Sequence, residues 1–197
     1  MPTPNTIPGY DYGTDRVSRS PVTLEMLQQL KETVDLTDED LHYLALAGDI
    51  LSDQAEDMVN LWRAKIGDQD HLAKWFYGPD GHPDDRYKAA VKPRFVQWVT
   101  DVCTRPYDQA WLDYQEEIGL RHTPAKKNVT DGVDAPPVVP LRYLVSFASV
   151  IITTAKEFLA KKGQPSVEVE RMHTAWTKAV LISIALWSCP YTKDGLW

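Results

Sequence analysis

Tyr107-Asp108-Gln109-Ala110-Trp111-Leu112-Asp113-Tyr114-Gln115-Glu116-Glu117-Ile118-Gly119-Leu120-Arg121-His122 is the stretch whose pattern decides the fold. Counted in threes and fours from Tyr107, it puts Ala110 or Trp111, Tyr114, Ile118 and His122 on one helical face. That face is apolar and aromatic until it closes on an imidazole. Glu116 and Glu117 are neighbours in sequence only. On a helix they point about 100° apart, so they are expected to be solvated rather than to work as an acid–base pair.

The same counting carried outward finds helices throughout. Thr23 is a good cap for a first helix carrying Leu24, Leu27, Leu30 and Val34. Thr37 opens a capping box, with Asp40 in place of the usual Glu. The apolar pattern from Asp38 to Ile66 is too long for one ordinary helix, so a break is expected near Gly48 to Asp53. A short helix, His71 to Tyr77, runs into the turn Gly78-Pro79-Asp80-Gly81-His82-Pro83. The helix from Asp84 to about Thr104 contains Pro93, expected to bend it. Residues 123–140 hold four prolines and read as a loop. Pro140 then opens a long apolar helix through Ala160, stopped by Lys161-Lys162-Gly163. The last helix is expected to be capped at Ser166 and to end at Cys189-Pro190. No period-2 strand pattern and no internal repeat is present. The fold class is therefore all-α, six to eight helices around one core, with the two C-terminal helices expected to be the most buried pair. Residues 1–21 read as an arm, 22–192 as the single domain and 193–197 as a tail.

Composition removes several function classes. The formal net charge of −7 offers no basic face for nucleic acid. The two cysteines, Cys103 and Cys189, fit neither a disulfide framework nor a zinc site, and no C-x-x-C-H run exists for covalent haem attachment. The Pro-rich N-terminus lacks a signal-peptide pattern. No run approaches the roughly 20 apolar residues of a membrane span, Leu144 to Ile152 being too short, so no membrane association and a cytoplasmic location are expected. G-x-S-x-G, P-loop, G-x-G-x-x-G and H-E-x-x-H motifs are absent.

Of the five histidines, His82 reads as exposed in its turn, His71 stands at a helix start, His42 lies off the apolar stripe, and His173 reads as a satisfied core or rim residue. For His122 the residues leave two readings open. It is either a core histidine bonded to a backbone carbonyl or a metal ligand projected inward from a rigid element. No second His or Cys lies three or four residues away, which excludes a multi-ligand zinc or non-haem iron site on this helix. A single protein ligand suffices only when a cofactor brings the remaining ones, as haem does.

Further stretches add to the 107–122 run: Ile7-Pro8-Gly9-Tyr10-Asp11-Tyr12-Gly13, Arg142-Tyr143-Leu144-Val145, Phe158-Leu159-Ala160 with Lys162-Gly163, and Ala185-Leu186-Trp187-Ser188 with Pro190-Tyr191. In this order the chain resembles the protoglobins, the single-domain globins related to the globin domains of globin-coupled sensors. The resemblance implies a globin fold with an extra N-terminal helix and an N-terminal arm. It implies a deeply buried haem b (iron protoporphyrin IX), reached by ligands through apolar tunnels. His122 matches the proximal iron ligand, Trp62 and Phe95 distal residues, and Phe76 the haem-packing aromatic at the inter-helix corner. Phe147 and Ile151 match haem- or tunnel-lining positions, and Arg94 a cation for a haem propionate.

One position departs from the family: Arg63 follows the distal Trp where a Tyr is usual. A guanidinium is costly to bury unpaired, so Arg63 is expected at the cavity rim rather than over a bound ligand. The function implied is reversible binding of O2, CO or NO at a five-coordinate iron. A haem enzyme (NO dioxygenase, peroxidase-like or carbene-transfer) and a gas sensor acting through a separate partner are the alternatives. A homodimer through the last two helices is also implied.

Overall fold

The computed structural model describes residues 7–192 and 195–197. Helix α1 (Leu24–Thr33) starts at Thr23, whose side chain accepts from the Met26 N–H, and α2 (Asp38–Leu51) starts with the Thr37–Asp40 capping box formed on both sides. The long pattern breaks at residues 52–54, and α3 (Ala55–Gly67) follows. The short helix expected next comes in two pieces, α4 (Asp70–Ala73) and a tight 3-10 turn (Lys74–Phe76). α5 (Asp85–Thr104) is capped by Asp84 and stays one continuous helix through Pro93. α6 (Gln109–Leu120) is capped by Asp108. α7 (Leu141–Ala160) and α8 (Ser166–Ser188) each open behind a proline, Pro140 and Pro165, so Ser166 is the first helical residue rather than the cap. Proline suits that place because the capping residue lies outside the helix, with ψ of 135° and 141° here, so the N–H it lacks is not needed for the helical bonds. A second 3-10 turn, Cys189–Tyr191, ends the sequence of elements. Among the described residues no strand forms; Tyr77 and Pro83 make one isolated bridge.

α8 is the central helix. Its buried residues recur along one face from Val169 to Trp187, and it packs against α2, α6 and α7. α7 corrects the expectation of a doubly buried pair: only Ala148, Ile151, Ala155, Phe158 and Leu159 are buried, while Val145 is exposed. By length and composition α7 is also apolar enough to cross a membrane, contrary to the expectation from the shorter run. Its inner face nevertheless packs on α8, α2 and α3.

A smaller core joins Leu27 of α1 and Val22 to Trp111, Leu112, Ile182 and Leu186. Trp197 of the tail packs there too, its indole N–H 3.0 Å from the Ala185 carbonyl. The arm is tied to α5 and α6: Tyr10 Oη donates to Asp101 at 2.6 Å, and the Ser20 N–H to Asp113 at 2.8 Å. Residues 1–6 of the expected arm and 193–194 of the expected tail lie outside the described residues.

The Glu116-Glu117 expectation is overturned. Both are buried, because α6 is covered by α8, by the last 3-10 turn and by the arm, leaving it no wide solvent face. Glu117 is paired with Arg121 at 2.9 Å and with Lys126. Glu116 has a buried oxygen, Oε2, without a hydrogen-bond partner, and burial together with Glu117 raises its pKa.

Candidate functional site

A large cavity opens between α5, the end of α6, the 121–140 loop, α7 and α8, with about 1280 Å³ of space between its walls, its open mouth included. Most of its wall is apolar and aromatic: Phe95 and Trp98 from α5, Phe147 and Ile151 from α7, Ile184 and Trp187 from α8. The charged residues of its wall are Arg94, Arg121, Lys127 and Asp131.

His122 stands in the wall, in the turn two residues past the end of α6. Its Nδ1 lies 2.8 Å from the Ile118 carbonyl. A carbonyl only accepts, so Nδ1 carries the proton and Nε2 the lone pair. Nε2 makes no hydrogen bond among the described residues. Burial lowers the pKa of the ring, with Lys127 and Arg121 adding to the effect, and this keeps the imidazole neutral. Trp187 lies nearly parallel to it, ring centres 6.0 Å apart at 20°. The turn is pinned by Tyr191 Oη, which donates to the Val139 carbonyl at 2.6 Å and sits 3.1 Å from that of His122. Gly119 permits this closeness. A Cβ there would stand 3.0 Å from Pro190 Cγ and 3.2 Å from the Trp187 backbone, which explains a glycine three residues before the histidine.

Among the charged wall residues, Arg94 is held bidentately by Asp131, at 3.0 and 2.6 Å, and donates to the Pro8 carbonyl of the arm at 2.9 Å. Gly9 makes that contact possible. Its φ is +72° and an added Cβ would fall 2.7 Å from the guanidinium.

The structure gathers His122, Phe76, Arg94, Phe95, Phe147 and Ile151 around one cavity. Trp62 and Arg63 do not line it. Trp62 is fully buried behind Phe95, ring centres 5.2 Å apart, and fixed by its indole N–H to Thr154 Oγ1 at 2.8 Å. Arg63 donates to the Lys88 carbonyl at 2.9 Å, and burial lowers its pKa. Trp187, Trp98, Asp131 and Lys127 are wall residues that sequence reasoning missed. Trp187 lay on an apolar stripe indistinguishable from core, and the other polar pair lay in a loop without periodicity. His42, His71 and His82 are exposed, and His173 bonds the Ile152 carbonyl at 2.8 Å.

A profile of the protoglobin family matches residues 23–197, the chain from just before α1 onward. The chain belongs to the protoglobin family. No protein of curated function matches it. As a protoglobin it has the all-α globin fold, and the family implies a haem-binding protein with gas ligands.

The residues of this protoglobin fit that cofactor. The described residues contain no cluster of three or more His, Cys, Asp or Glu to hold a bare metal ion. They do offer one neutral imidazole with an uncommitted nitrogen in the wall of a largely apolar cavity, the donor set suited to a metal that arrives inside a macrocycle.

Proposed function

We propose that the protein holds haem b (iron protoporphyrin IX) through His122 Nε2 and binds O2, CO or NO reversibly at a five-coordinate iron. The observation that carries the reading is the commitment of the His122 Nδ1 proton to the Ile118 carbonyl, which leaves Nε2 as a lone-pair donor in the cavity wall. Haem, when bound, supplies an iron with an open position for a diatomic gas.

The chain's own residues do the rest. The Ile118 carbonyl fixes the tautomer and the tilt of the imidazole and makes Nε2 more basic. Trp187, parallel to the ring, limits its rotation. Phe95, Phe147 and Ile151 keep water out, and Trp62 supports Phe95 from behind. Phe76, the last residue of the 3-10 turn, is braced by Tyr87 at 5.3 Å between ring centres and closes the corner there. Arg63, tied to Lys88, contributes no donor to the cavity.

Two further elements belong to this reading. A homodimer through α7 and α8 is supported by exposed Val145, Val167 and Leu181 on those helices. A cytoplasmic location is supported by the presence of only two cysteines, too few for the disulfide framework of a secreted protein.

The test is reconstitution with haemin, followed by absorption spectra of the reduced protein with and without CO. The wild type should give a five-coordinate ferrous spectrum that shifts on CO addition. His122→Ala should lose that spectrum and regain it with added imidazole. Failure to take up haem, or a spectrum unchanged by His122→Ala, would refute the reading.

A further inference from the structure

Lys127 is the one charged residue in the cavity wall without an opposite charge among the described residues. Arg94 is occupied by Asp131, Arg121 by Glu117 at 2.9 Å and Asp11 at 3.6 Å, and the neighbouring Lys126 by Glu117. Lys127 is only 3% exposed. Its Nζ donates to the Trp75 carbonyl at 2.8 Å and lies 5.1 Å from the centre of the Tyr87 ring. An ammonium has three N–H donors, and the Trp75 carbonyl takes one. Burying such a group without a counter-charge is strongly unfavourable. Burial accordingly pushes its pKa down to about 8, a value that still leaves it mostly charged at neutral pH.

We propose that Lys127 is the ion-pair partner of one carboxylate of the bound macrocycle, a role Arg94 cannot take while Asp131 holds its guanidinium. The proposal rests on the haem reading given above. A carboxylate brought to Arg94 would meet the Asp131 carboxylate on the same guanidinium, and like charges repel strongly in a low-dielectric wall. At Lys127 the incoming charge meets only a carbonyl and the negative face of Tyr87, both already facing the ammonium. The site is preformed: the Lys127 N–H bonds the Thr123 carbonyl at 3.0 Å, and the Trp75 carbonyl comes from the 3-10 turn beside α4.

The experiment measures the affinity of the apoprotein for haemin and for haemin dimethyl ester, whose carboxylates are masked, by tryptophan quenching. Lys127→Gln keeps a donor for the Trp75 carbonyl and removes the charge; Lys127→Met removes both. Both variants should bind haemin about 10- to 100-fold more weakly, the range of a charge-assisted bond, while their affinity for the ester stays that of the wild type. Equal weakening toward haemin and the ester, or no change toward either, overturns the proposal and assigns Lys127 to bracing the 3-10 turn. A wild type that takes up neither compound overturns the haem reading itself, and this proposal with it.

Discussion

The Arg94–Asp131 pair lends itself to a double-mutant cycle, because its two possible roles give widely separated numbers. Each side chain is 10% exposed, and the contact is bidentate at 3.0 and 2.6 Å. Replacing Asp131 by Leu leaves the guanidinium with the Pro8 carbonyl as its remaining acceptor, and replacing Arg94 by Met leaves a buried carboxylate alone. Breaking a buried pair from one side costs about 3–5 kcal/mol, whereas exchanging both partners for apolar residues is often close to neutral. Each single variant should therefore lose about 3 kcal/mol or more, and Arg94→Met/Asp131→Leu only about 1 kcal/mol, the loss being packing and the arm contact. Urea unfolding of the apoprotein at neutral pH, followed by tryptophan fluorescence, measures all four proteins. If the single effects simply add, giving about 6 kcal/mol for the double variant, the two charges do not depend on each other and the reasoning is refuted.

Gly119→Ala should cost about 1–3 kcal/mol, since its Cβ would press on Pro190 and the Trp187 backbone, whereas Gly67→Ala, with nothing within 4 Å, should be neutral or stabilising. Matching urea midpoints for the two would show that the approach of α6 to the end of α8 is loose. Glu116 is a carboxyl whose folded pKa is raised from its ordinary 4.5 by burial and by Glu117. The folded state thus binds more protons than the unfolded one just above that value, and stability contributed by Glu116 is present below it and lost as pH rises through the folded pKa. Glu116→Gln should therefore be more stable than the wild type at pH 7 and lose the advantage near pH 4. Urea midpoints across that range check it, and a constant difference between the two proteins would refute it.

The helices were legible because their signals are local. Thr23, Thr37, Asp84 and Asp108 each cap the helix they precede, and the long pattern from Asp38 breaks within two residues of the expected place. What failed depended on distant neighbours. The Glu116-Glu117 reading assumed a helix with one wet face, but Tyr10 and Ser20 bring the arm across α6 from about a hundred residues away. α7 is the more apolar of the last two helices and yet the less buried, because composition records what a face is made of and not what covers it.

The site divides along the same line. The two sequence readings of His122, a core histidine bonded to a carbonyl and a metal ligand, describe one arrangement: the bond from Nδ1 to Ile118 satisfies the buried ring and also frees Nε2. That much follows from a helix closing on an imidazole, since the accepting carbonyl is four residues back on the same helix. Charge does not follow in this way. Arg94 is an inviting cation until Asp131, 37 residues on, folds over it. Lys126 and Lys127 are adjacent and chemically identical, yet Glu117 takes one while the other is turned against Trp75 in the cavity wall. No pattern in the sequence separates those two lysines, because what distinguishes them is which carboxylate lies within reach, and that is decided by how the loop after His122 lies against the 3-10 turn.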